Sequence, residues 1–182
     1  MQSNTLSLRL LYVLPILVSS AVAQWTQVDN NKPTARYSHK MAYDSARGKT
    51  VMFGGIDDND HEFDDTWEYD GSDWTQVAST GPAARADHAM AYDSQRNVTV
   101  LFGGYSSGGG GYQGDTWEWD GSGWTQVANT GPAARCWNAI AYDSQRGVTV
   151  LFGGEGSSGL LGDTWEWDGS DWTQVSTTGP SS

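Results

Sequence analysis

The sequence predicts an all-β chain of repeated four-stranded antiparallel units, arranged as the blades of a β-propeller. Three observations lead there. The string Trp-Thr-Gln-Val starts at Trp25, Trp74, Trp124 and Trp172, at spacings of 49, 50 and 48 residues. Between those marks the strings T-G-P-A-A-R, A-Y-D-S-Q-R, V-T-V-L-F-G-G and D-T-W-E-W-D-G recur with few changes, and a fixed period of this length marks a stacked array of supersecondary units. Apolar residues follow the two-residue period of strands, and helical periodicity is absent.

Within the first unit a strand is expected over 39–44, with His39, Met41 and Tyr43 on one face and Lys40 and Ala42 on the other. A second, over 50–53, is nearly all apolar or β-branched, which suits a strand covered on both faces. A third, over 66–70, sets Trp67 and Tyr69 opposite Glu68, and a more polar fourth, over 74–77, fits an outer edge. Gly48 and Gly71 offer left-handed turn positions, and Asn97 stands in the Gly48 slot of the second copy as the other residue that tolerates that region. The expected blades cover 36–80, 85–130 and 135–177, preceded by a leading outer strand and linker at 24–35.

Residues 1–23 read as a secretory signal peptide: Arg9, an apolar run over 10–18, then small residues ending on an A-x-A pattern at Ala21 and Ala23. The run contains Pro15 and falls short of the roughly 20 apolar residues that span a bilayer, so no membrane span is expected. The expectation is a secreted protein, extracellular or in the periplasm and cell envelope. A formal net charge of −12 repels phosphate backbones and anionic lipid, which argues against nucleic-acid and membrane partners. Cys136 is the only cysteine, so no internal disulfide is available.

The glycine pairs Gly54-Gly55, Gly103-Gly104 and Gly153-Gly154 end each second strand. They are followed by Tyr69, Trp119 and Trp167, and five residues later by Trp74, Trp124 and Trp172. A glycine pair followed by two spaced aromatics resembles the kelch repeat, and the chain is most similar to secreted kelch-motif proteins of bacteria. The Trp119-Asp120 and Trp167-Asp168 pairs suggest the WD40 propeller, but its period is shorter and its Gly-His lead is missing. The resemblance implies a kelch-type propeller of three complete blades plus an N-terminal orphan outer strand, an incomplete ring beside the roughly 4 to 8 blades of closed propellers. The simpler expectation is that further C-terminal blades are missing from the sequence. The alternative is a homodimer in which two sets of three blades complete one ring.

Repeated positions serve the blade, and departures from the repeat are free to serve something else. Nine of the ten Trp residues repeat and are assigned to the core. Repeated Arg36, Arg85 and Arg135, with Glu68, Glu118 and Glu166, predict buried charge pairs. Length varies only in the loops 56–64, 105–114 and 155–162, and residue type varies after each repeated Arg; both regions are expected on one face. That face supplies the candidate ligand-binding residues Tyr37, Asp87, Tyr105, Tyr112, Trp137 and Glu155. Asp57, Asp58, Asp60 and Glu62 are weak candidates for Ca²⁺, lacking the EF-hand spacing; a solvated acidic loop is the simpler reading, and no cofactor is otherwise expected. His39, His88 and Asn138 share one slot, which predicts a structural hydrogen bond.

The expected function is a non-enzymatic binding module for protein or carbohydrate, with no catalytic residues assigned. One alternative is a fragment of a copper enzyme resembling galactose oxidase, for which Cys136, Tyr37, His39 and His88 supply the residue types in an arrangement unlike that family's. Another is a structural envelope or matrix protein.

Overall fold

A computed structural model describes residues 32–179. The signal segment 1–23 and the orphan strand at Trp25 lie outside the described residues. Three four-stranded antiparallel sheets follow one another along the chain. The first comprises β1 (Lys40–Asp44), β2 (Lys49–Phe53), β3 (Thr66–Tyr69) and β4 (Trp74–Ala78). The second contains β5 (Ala89–Asp93), β6 (Val98–Phe102), β9 (Thr116–Trp119) and β10 (Trp124–Ala128), with a small hairpin of β7 (Tyr105–Ser106) and β8 (Gly111–Tyr112) in its long loop. The third contains β11 (Ala139–Asp143), β12 (Val148–Phe152), β15 (Thr164–Trp167) and β16 (Trp172–Ser176), with a hairpin of β13 (Glu155–Gly156) and β14 (Gly159–Leu160). The innermost strands β1, β5 and β11 lie side by side, as blades around an axis require.

The strand expectations hold to within one residue at each end. Val51, Met52 and Phe53 are all buried, as expected for a strand covered on both faces, and Gly48 and Asn97 adopt φ of 66° and 57°. The sequence did not reveal a bulge in each fourth strand. Gln126 pairs with Trp117 and Ala128 with Thr116, which leaves Val127 unpaired; Val77 and Val175 repeat the irregularity.

Blades pack face to face through a continuous apolar core. Val51 and Phe53 of the first blade meet Met90, Leu101 and Trp119 of the second, and the Trp124 ring stands 5.4 Å from Phe53, edge to face. Polar bonds bind the same interfaces. Trp119 donates its indole N–H to Glu68 at 3.1 Å and Trp124 to Thr66 at 2.8 Å; Trp167 and Trp172 repeat both bonds to Glu118 and Thr116.

The predicted buried charge pairs exist, but between different residues. Arg85 is bidentate to Asp115, at 2.6 and 2.9 Å, and donates two further hydrogen bonds to the Gly103 and Ala83 carbonyls. Arg36 with Asp65 and Arg135 with Asp163 are its copies. Glu68, Glu118 and Glu166 instead receive Arg47, Arg96 and Arg146 from the turn after the first strand, which also bind Asp44, Asp93 and Asp143. Guanidinium hydrogen bonds from Arg135 draw the Asp163 carboxyl down to about 2, against the opposing effect of burial. The Arg85 carbonyl meanwhile accepts the Gly55 N–H of the preceding blade at 2.9 Å, and the Arg135 carbonyl accepts that of Gly104. One residue thus fixes its own blade by its side chain and the neighbouring blade by its backbone.

Arg85→Ala leaves Asp115 with an uncompensated, largely buried charge and should cost about 3–5 kcal/mol in chemical denaturation. Arg146→Ala, at a pair far more open to solvent, should cost the single chain much less than Arg85→Ala in the same measurement.

Candidate functional site

The residues after each repeated Arg run back along the loop that follows the glycine pair of the same blade. Tyr37 pairs with Ile56, Ala86 with Tyr105, and Cys136 with Glu155, each through two backbone hydrogen bonds of 2.8–3.0 Å. Both variable regions are therefore bound together on one face. Within that face the next residues form an inner arc: the Asp87 N–H donates to the Ser38 carbonyl at 3.0 Å, and the Trp137 N–H to the Asp87 carbonyl at 2.9 Å.

The arc imposes a left-handed backbone, with φ of 55°, 57° and 55° at Ser38, Asp87 and Trp137. Asp is among the side chains that tolerate this region, and a bulky aromatic is out of place there. Trp137 nevertheless occupies it, 62% exposed, beside a groove of about 310 Å³ that it shares with Phe152, Glu155, Leu160 and Leu161.

Farther out, the loops brace one another across blades. Glu62 accepts the Ser107 N–H at 3.0 Å, Tyr105 and Tyr112 meet edge to face at 5.5 Å, and the Tyr112 hydroxyl donates to Glu155 at 3.2 Å. Burial and then the Glu155 carboxylate push the Tyr112 phenol up. A groove of about 240 Å³ separates the second and third loops, between Tyr112 and Leu161. The structure thus brings Tyr105, Tyr112 and Glu155 into one cluster and sets Asp87 and Trp137 in adjoining positions of the inner arc. Tyr37 lies on the same face one blade away, exposed.

The acidic loop of the first blade is largely occupied with its own backbone. Asp57 accepts the N–H groups of Asn59 and His61, which holds its carboxyl below the usual range, and Asp60 sits at φ 59°. Glu62 faces the second blade, and Asp58 is exposed. Among the described residues no three or more His, Cys, Asp or Glu side chains are grouped to hold a metal ion, so His39, His88 and Cys136 do not assemble the set a copper centre would need. Cys136 is buried, and burial, followed by Asp87 and Glu155, pushes its thiol up to about 11, which disfavours the reactive thiolate.

The shared His39, His88 and Asn138 slot differs from expectation. His88 is fully buried, and neither ring nitrogen finds a hydrogen-bond partner among the described residues; the Asn138 amide is in the same state. The ring instead packs edge to face on Phe53 at 5.6 Å and lies against Gly54, where an added Cβ would stand 3.2 Å from it. The slot is thus a packing position between blades. Leu160, 88% exposed on β14, is a further feature of this face that repeat analysis missed: it pairs with Glu155 as Tyr112 pairs with Tyr105, but the two loops differ in length.

Burial and then Arg85 lower the His88 pKa well below 6.5, so the unfolded chain takes up a proton there that the folded chain refuses. Wild-type stability should therefore fall, relative to His88→Asn, as pH drops below 6.5, with no relative change above it. Paired urea titrations across that range measure the difference.

No curated protein matches the chain. The KLHDC2/KLHL20/DRC7 kelch-repeats domain matches residues 5–182, which is nearly the whole sequence. With glycine pairs closing each second strand, paired aromatics on the third and fourth, and three successive four-stranded blades, the chain belongs to the kelch-repeat family.

Proposed function

We propose that this chain is a protein-recognition module that engages its partner through the loop face centred on Trp137. Kelch-repeat domains generally mediate protein binding, and the position of Trp137 supports that use here. A left-handed backbone costs an ordinary side chain about 1–2 kcal/mol. The matching positions hold Ser38 and Asp87, yet the third blade places a large aromatic there and leaves it exposed. Strain kept at an exposed aromatic points to contact rather than packing.

The surroundings suggest the partner's chemistry. Tyr105 and Leu160 extend the apolar centre, while Asp87, Glu155 and the acidic loop with Asp57, Asp58 and Asp60 supply negative charge around it. An apolar side chain flanked by Lys or Arg fits such a surface. Carbohydrate is a second reading, favoured by the same exposed indole, on which a sugar ring could stack. Export through the 1–23 signal segment would put either partner outside the cytoplasm.

Selection of displayed peptides against the full chain, alongside a glycan array, tests the proposal. The expected peptides carry an apolar residue beside basic ones, bind more weakly at high salt and lose at least about tenfold in affinity on Trp137→Asp. The same substitution should leave stability unchanged or raise it by up to about 1 kcal/mol, because Asp suits the left-handed backbone better than Trp. Glycan hits abolished by Trp137→Asp would select carbohydrate, whereas binding unaffected by that variant would overturn the assignment of the face.

A further inference from the structure

The two outer faces of the blade stack are the halves of one interface that already occurs twice inside it, and we propose that they join two copies of this chain head to tail into a closed six-blade ring. This inference rests on observations other than the loop-face reading, although Phe152 also borders the Trp137 groove. It rests on comparing each junction residue with its copies.

At the two internal junctions, four features of one blade receive four of the next. Phe53 receives the His88 ring and Glu68 the Trp119 indole, Tyr92 lies beside Asp44, and the Arg47 guanidinium covers Gly121. That last fit is close, since a Cβ on Gly121 would stand 2.7 Å from the guanidinium; Arg96 covers Gly169 in the same way. The second junction also repeats the aromatic packing, with Phe102 against Trp172, and places Tyr142 beside Asp93.

The outer face of the third blade carries the receiving set for a third time. Phe152 is 40% exposed where Phe53 and Phe102 are fully buried, and the Asp143 side chain is 33% exposed against 4% for Asp44 and 3% for Asp93. Arg146 is half-exposed and covers no glycine among the described residues. The outer face of the first blade carries the inserting set. Tyr43, the copy of Tyr92 and Tyr142, is 60% exposed, Met41 beside it is exposed where Met90 is buried, and His39 stands in the His88 slot. Gly71 matches Gly121 and Gly169, yet among the described residues nothing comes within 4 Å of the Cβ position there. The spare arginine and the empty glycine seat are thus at opposite ends of the stack.

The backbone continues the match. Trp137 presents the third carbonyl of the inner arc, the kind that accepts the next blade's N–H at Ser38 and Asp87, and Gly154 is the third copy of the N–H that donates to the next blade's Arg carbonyl. A second copy would offer its Ser38 N–H and Arg36 carbonyl to these groups. Because the faces are complementary rather than identical, association is head to tail, and such contacts close into a ring or run on as a filament. Rings hold about 4 to 8 blades, so two sets of the three described blades make up one ring.

Sedimentation equilibrium of the full chain over a broad concentration range tests this. The expected mass is twice that of one chain, with no larger species. Phe152→Asp, on one face, and Met41→Asp, on the other, should each raise the concentration for half-association at least about tenfold. Both side chains are exposed in the single chain, so its fold is retained. An equimolar mixture of the two variants should regain part of the association, since one intact junction remains. A monomer at every concentration, an open series of oligomers, a dimer indifferent to both variants, or a mixture no better than either variant alone would each overturn the proposal.

Discussion

The fold depends on an arginine that serves two blades at once. Arg85 commits every guanidinium nitrogen to its own blade, to Asp115 and to two carbonyls, and its backbone carbonyl holds Gly55 of the blade before. A charge so fully buried is tolerable only because the carboxylate and carbonyls accept hydrogen bonds from all three of its nitrogens. The bidentate geometry also fixes the direction in which the chain enters the next first strand, which lysine, with a single point charge, could not do. Asp65, Asp115 and Asp163 each stand just before the third strand, so one ion pair ties the start of a blade to the far side of its variable loop.

That tie explains how loops of different length coexist with identical blades. The arginine clamp, the glycine pair and the third strand hold both ends of each loop in place, and the residues between are free to change. The second arginine set, Arg47, Arg96 and Arg146, works across the interface, bracing Asp and Glu of one blade while Arg47 and Arg96 cover the next blade's glycine turn. Blade-to-blade contact is therefore specified by charge and shape together. The exposure of Asp143 and Phe152 at one end of the stack follows directly from the lack of a neighbour there among the described residues.

Most of the fold was legible because each position was written three times. Strand order, turn glycines and the two-sided burial of Val51 and Phe53 follow from the repeat alone. The arginine partners did not. Asp65 and Glu68 repeat equally and lie beyond the same loop of changing length from Arg36, so spacing could not choose between them. The bulge at Val127 was hidden because a valine reads the same whether paired or displaced. The convergence of the two variable regions was legible from the repeat, but the left-handed arc was not foreseen: Ser38, Asp87 and Trp137 share no residue type, and the shared constraint is carried by backbone hydrogen bonds. The His88 slot misled for the opposite reason. A repeated polar residue suggests a repeated hydrogen bond, whereas here the ring is used for its shape against Phe53 and Gly54.

The central claim is that the arginine carbonyl couples neighbouring blades as firmly as the strands couple within a blade. Hydrogen exchange at the Gly55 and Gly104 amides tests it most directly, since both are donated across a blade junction. The account predicts that they exchange as slowly as amides of the central strand β6, opening only with global unfolding. Exchange at the rate of the exposed loop amides, while β6 stays protected, would show that the blades fold as separate units and would contradict it.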